Sequence, residues 1–208
     1  MAVNELLCSM VNRCYKIEVI KIMIRFIFVT SMIMLTACAL TPEEQRFDAM
    51  LAAPHVYTLT NLHPHERSSV LYTMNYQMDG LIPVCTEVKL LQRSYGYLQF
   101  KAVSSGRVYT YQEHSNPGED FINHISKYFG TECEKEEIEQ LSEIDKQGIL
   151  EGNALVGMSR QGVLYALGYP PPRRTPYLDT NRWLYWKNRI NRFYVEFDHT
   201  GTVVNIRD

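Results

Sequence analysis

The chain has 208 residues, 46% of them hydrophobic and 12% aromatic, which is enough apolar bulk for one or two small domains and too much for a mostly disordered chain. A formal net charge of −2 at pH 7 lacks the clustered basic footprint that nucleic-acid binding needs, so no nucleic-acid partner is expected.

The N-terminal part reads as a processing signal. Met23-Ile24-Arg25 supplies a charged start, residues 26–34 (FIFVTSMIM) an apolar run, and Leu35-Thr36-Ala37 the small-residue cleavage site before Cys38. The apolar run falls well short of the roughly 20 residues of a spanning helix. Leu35-Thr36-Ala37-Cys38 resembles the lipobox of bacterial lipoproteins, where a diacylglycerol is added to the cysteine thiol before cleavage. Residues 1–37 are therefore expected to be a signal region and Cys38 the lipidation site. Glu5 and Glu18 sit badly ahead of an apolar run, which makes Met23 the expected true start and leaves Cys8 and Cys14 without a role. The mature part then carries 17 Lys and Arg against 21 Asp and Glu. Ala39 follows the anchor, where an Asp would tend to hold a lipoprotein at the inner membrane. The expected location is the outer membrane, lipid-anchored and facing the periplasm.

Residues 38–69 read as a lipidated tether, with a short helix to about Leu51, Pro54 and Pro64 as breakers, and His63-Pro64-His65-Glu66 as loop. From 70 to 130 the pattern is β-rich. Val84, Thr86, Val88 and Leu90 alternate with Cys85, Glu87 and Lys89; residues 95–103 and 107–111 flank a Ser104-Ser105-Gly106 turn. A closing helix follows Asp120, with Phe121, Ile122, Ile125 and Phe129 on one face and Gly130 as the stop. Residues 131–147 form an acidic connector, read as a solvated face or linker.

The unit 148–208 is the best patterned. Ser159 is a helix N-cap; Val163, Leu164 and Leu167 form the apolar stripe; Gly168 and the following prolines end the helix. Gly162 inside its first turn costs roughly 1 kcal/mol against alanine. Three strands follow at 182–187, 192–198 and 202–206, with Phe193, Val195 and Phe197 on one face and a turn at Asp198-His199-Thr200-Gly201. The expected fold class is α+β: a small open-barrel-like β-rich domain, then a helix with a three-stranded antiparallel meander.

Gly157-Met158-Ser159, Val163, Leu167-Gly168-Tyr169-Pro170, Trp183-Leu184-Tyr185 and Phe197-Asp198-His199-Thr200-Gly201-Thr202-Val203 stand in the order and spacing of one family pattern. Through them residues 148–208 resemble the SmpA/OmlA (BamE-like) family of outer-membrane lipoproteins. Its short members have no counterpart to residues 70–130. The resemblance implies a binding fold that scaffolds a neighbouring envelope complex, such as the β-barrel assembly machinery, and touches lipid.

Candidate chemistry is sparse. Cys85 and Cys133 can be a disulfide or two separate thiols, and their spacing leaves both open. His55, His63, His65, His114 and His124 lack structural zinc spacing, so no metal or cofactor is expected. No catalytic residue is assigned. The reading from a different class is a thiol- or metal-dependent envelope hydrolase, with Cys85 served by His114 or His124. Arg173, Arg174, Arg182, Lys187, Arg189 and Arg192 interleave with Tyr177, Trp183, Tyr185, Trp186 and Tyr194. Of these, Arg173, Arg174, Tyr177, Trp186, Arg189 and Tyr194 are the expected partner or lipid surface. Leu184 and Trp186 lie opposite Trp183 and Tyr185, so the second aromatic face needs a cover, from the N-terminal module or from outside.

Overall fold

In the computed structural model the described residues are 41–208, apart from 95 and 115–118. The helix α1 (Pro42–Ala52) opens them and lays Phe47 and Met50, three apart, onto the first core. The strands β1 (Val56–Thr58), β2 (Val70–Tyr72), β3 (Glu87–Ser94), β4 (Tyr97–Ala102), β5 (Val108–Gln112) and β6 (Phe129–Gly130) build a curled six-stranded sheet. Its order is β2-β5-β4-β3-β1-β6; the β2–β5 pair is parallel and the others antiparallel. Period-two burial shows why β4 forms: Leu98, Phe100 and Ala102 face the core while Tyr97, Gln99 and Lys101 stay partly open. The helix α2 (Phe121–Ile125), capped by Asp120, closes this core with Ile122 and Ile125.

Two helices, α3 (Lys135–Gln140) and α4 (Glu143–Glu151), carry the acidic run into α5 (Arg160–Leu167). Ser159 caps α5 by accepting the Gly162 N–H, and Gly168 ends it at φ 73°, a value glycine adopts freely. The strands β7 (Arg182–Trp186), β8 (Arg192–Phe197) and β9 (Val203–Arg207) form an antiparallel meander. Met158, Val163 and Leu167 pack on Trp183, Tyr185, Val195 and Phe197 as a second core. The architecture is α+β, as the sequence pattern predicts, and Pro42–Asp208 form one compact unit.

Three local expectations are corrected. From Pro42 on, the segment read as a tether is folded: β1 sits between β3 and β6, and Leu62 is buried and bridged to Ile82. The strand expected from Val84 begins at Glu87, because residues 83–86 turn, with Cys85 at φ 63° and the Thr86 N–H donating to the Pro83 carbonyl. The helix expected to reach Gly130 stops at Ile125, and Phe129 and Gly130 instead join β1 as the edge strand.

The acidic connector hides one inward carboxylate. Asp145 is 3% exposed and accepts from the Ser159 N–H (2.7 Å), the Ser159 hydroxyl (3.1 Å) and the Ser142 hydroxyl (2.7 Å), tying the start of α4 to the start of α5.

Candidate functional site

The seam between the two cores is built at the C-terminus of α5. The last carbonyls of a helix have no partner within it. Here the segment 61–77 supplies the donors. The Asn61 N–H donates to the Tyr165 carbonyl (2.8 Å), and His63 Nε2 to Ala166 (3.0 Å). Asn75 Nδ2 reaches Leu167 and Tyr169 (both 2.8 Å), and Gln77 Nε2 reaches Leu167 (3.0 Å). From the meander, the Tyr185 hydroxyl donates to the Gly168 carbonyl (2.9 Å). His63 is buried, which pulls its pKa down, against a smaller upward pull from the Ala166 bond. The donors from 61–77 are invisible to local sequence reading, since they lie 90 to 104 residues from their acceptors.

Beside the seam a cleft of about 520 Å³ opens between the end of β6 and the helices α3 and α5. Leu59, Val84, Ile138 and Leu164 make its apolar floor; Lys127, Glu132 and Glu134 stand among its polar lining. Lys127 is already neutralised by Glu119 and lies 5.5 Å from the Tyr169 ring centroid. The Tyr165 hydroxyl donates to Glu134 (3.1 Å), and the Glu137 carboxyl is raised chiefly by its hydrogen bond to Glu134. No sequence signal marked this cleft, because its lining comes from five separate stretches.

Cys85 and Cys133 form a disulfide, with Cα atoms 5.4 Å apart, and Cys133 stands in the cleft wall. The sulfur of Cys85 is thereby committed and is not a free nucleophile. His124, one of its two proposed bases beside His114, is engaged elsewhere: Nε2 pairs with the Tyr111 hydroxyl (3.0 Å), and Nδ1 with Glu119 (2.9 Å), which also holds Lys127. Burial lowers the His124 pKa, opposed by Glu119, and burial raises that of Tyr111. The chain Tyr111–His124–Glu119 has acid–base geometry, but His124 and Tyr111 are 2% and 1% exposed, so it locks α2 to β5. His114 packs against Tyr72 and Tyr76, and His65 caps a turn by accepting the Ser68 N–H. Among the described residues no three His, Cys, Asp or Glu side chains converge to hold a metal ion.

The register of the meander sorts its aromatic residues. Trp183 opposite Val195 and Tyr185 opposite Phe193 face the core. Arg182 opposite Glu196, Leu184 opposite Tyr194 and Trp186 opposite Arg192 form the outer face. There the Arg182 guanidinium lies 4.1 Å from the Tyr194 ring centroid, and Arg192 lies 6.0 Å from that of Trp186. On this face Leu184 is buried, and the molecule occupies the free edge of β7 itself: the Leu184 N–H donates to the Thr175 hydroxyl, and the Trp186 backbone bridges Tyr76 and accepts the Gln77 N–H. Arg173, Arg174 and Tyr177 stand exposed on the proline-rich loop before β7. Arg189 is exposed in the β7–β8 hairpin, where its charge reaches Tyr76 and His114, and the neighbouring Ile190 is 84% exposed. The six expected surface residues thus fall in three places: the outer sheet face (Trp186, Tyr194), the hairpin tip (Arg189) and the proline-rich loop (Arg173, Arg174, Tyr177).

Cys38 and the signal region lie outside the described residues. No described helix is long and apolar enough to cross a membrane. Comparison with family models, with curated proteins and with solved structures finds no match to this chain.

Proposed function

We propose that this chain is a lipoprotein anchored at the outer membrane that serves as a periplasmic binding or scaffold module in outer-membrane assembly or envelope maintenance. The observation that carries the reading is Leu35-Thr36-Ala37-Cys38 standing directly behind the short apolar run 26–34. The disulfide between Cys85 and Cys133 supports an oxidising compartment. The outer face of the meander, with arginines laid over Tyr194 and Trp186, supports a contact role, since Arg and aromatic side chains are enriched at interfaces. The resemblance of residues 148–208 to the SmpA/OmlA family points the same way. Its partners are then the membrane, through the lipid, and an envelope protein complex of the β-barrel assembly kind. The thiol-dependent form of the hydrolase alternative loses its nucleophile, Cys85, to the disulfide.

Labelled palmitate tests the anchor. Label is expected on the wild-type chain in outer-membrane fractions and absent from Cys38→Ser. A wild-type chain that stays unlabelled, or is recovered from the cytosol, overturns the reading. Crosslinking in envelope fractions with mass spectrometry then identifies the complex.

A further inference from the structure

The cleft beside the seam has three properties that select one kind of occupant. The first is an open sheet edge. β6 is the last strand of the six-stranded sheet, paired on one side with β1, and the run 130–134 that continues from it forms a wall of the cleft. Gly130 is the residue of that edge in the cleft lining, and an extended segment laid along the wall runs beside it, as in recognition by strand addition. The second is an apolar floor, Leu59, Val84, Ile138 and Leu164, in a volume typical of ligand clefts. The third is charge. Glu132 and Glu134 line the cleft, yet no lysine, arginine or histidine among the described residues forms an ion pair with either. The cleft's own cation, Lys127, is already spent on Glu119. Two carboxylates without a cation beside an apolar floor are complementary to a basic partner.

We propose that this cleft binds an extended peptide segment of a partner protein, in which basic residues alternate with aliphatic ones. The segment adds to the free edge of β6, one face on the apolar floor and the other toward Glu132 and Glu134. This deepens the scaffold reading by naming the partner's chemistry and rests on it for the existence of a partner. The binding test uses no membrane, so a failed anchor and a failed cleft are told apart.

The probe is a fluorescein-labelled Leu-Lys-Val-Lys-Leu-Lys peptide, followed by anisotropy with the full chain in a non-ionic detergent at low salt. Saturable binding is expected, weakened about tenfold in Glu132→Gln/Glu134→Gln and little changed in the charge-matched Glu43→Gln/Glu151→Gln. All four positions are exposed, so these variants keep the fold. The glutamate version of the peptide is expected not to bind. No binding of the lysine peptide overturns the proposal, as does equal weakening in both double variants or equal binding of the glutamate peptide.

Discussion

The carboxylate of Asp145 occupies the space that a side chain at Gly162 would need. A Cβ built at position 162 collides with Oδ1, Cγ and Cβ of Asp145. Alanine is favoured over glycine in a helix by about 1 kcal/mol, and here the sign reverses. Gly162→Ala is expected to lower stability by about 2–3 kcal/mol through overpacking against a buried, hydrogen-bonded acid. Urea unfolding of the purified chain measures it, and an unchanged or raised midpoint rejects this account of the glycine.

Asn75 donates to two carbonyls at the end of α5 and holds a left-handed backbone, φ 49°. Asn75→Ala removes one donor from each acceptor, leaving Leu167 to Gln77 and Tyr169 to the Tyr128 hydroxyl, and loses the residue type that tolerates that conformation. A loss of about 1–2 kcal/mol follows. Hydrogen exchange is expected to speed up around Gly168 and Tyr169 before it changes in β4, which separates a loosened seam from global unfolding.

Acid is expected to destabilise the fold in two stages. His63 and His124 have lowered pKa values because both are buried in the neutral form. Between those values and the unfolded value of about 6.5, the unfolded chain binds more protons. Stability therefore rises with pH through that window, and is lost as pH falls from about 6.5. Glu119 adds a second loss at lower pH. Burial alone would raise its pKa, but the hydrogen bonds from His124 and Lys127 bring it below the ordinary carboxylate value. Unfolding midpoints are expected to be level above about pH 7. His63→Gln, which keeps a donor for Ala166, should flatten part of the slope near pH 6.

The disulfide closes a loop with a sequence separation of 48. Chain entropy alone assigns such a closure about 4 kcal/mol. Cys85→Ser/Cys133→Ser is expected to lose most of that in denaturant titration, and reduction of the wild type should reproduce the loss.

Local chemistry was readable from the sequence, and long-range pairing was not. Ser159, Gly168 and the alternation Phe193-Val195-Phe197 announce themselves within a few residues, and α5 with its meander follows them closely. The stretch 54–69 reads as loop from its prolines and histidines alone; β1 gains meaning only beside Val88 and Phe129. Alternation also misled at Val84 and Thr86, where a positive φ at Cys85 breaks the strand that the pattern suggests. The acidic run concealed Asp145 because a buried carboxylate has the same letter as a solvated one. On the meander, alternation identified the second aromatic face correctly but could not say that Tyr76 and Thr175 occupy the edge of β7.

The helix α5 is finished by groups translated long before it. Asn61, His63, Asn75 and Gln77 leave the ribosome first and wait for carbonyls 90 to 104 residues downstream. The C-terminal piece is consequently no portable cassette: transplanted alone, it carries bare carbonyls at the end of its only long helix and has lost its lock.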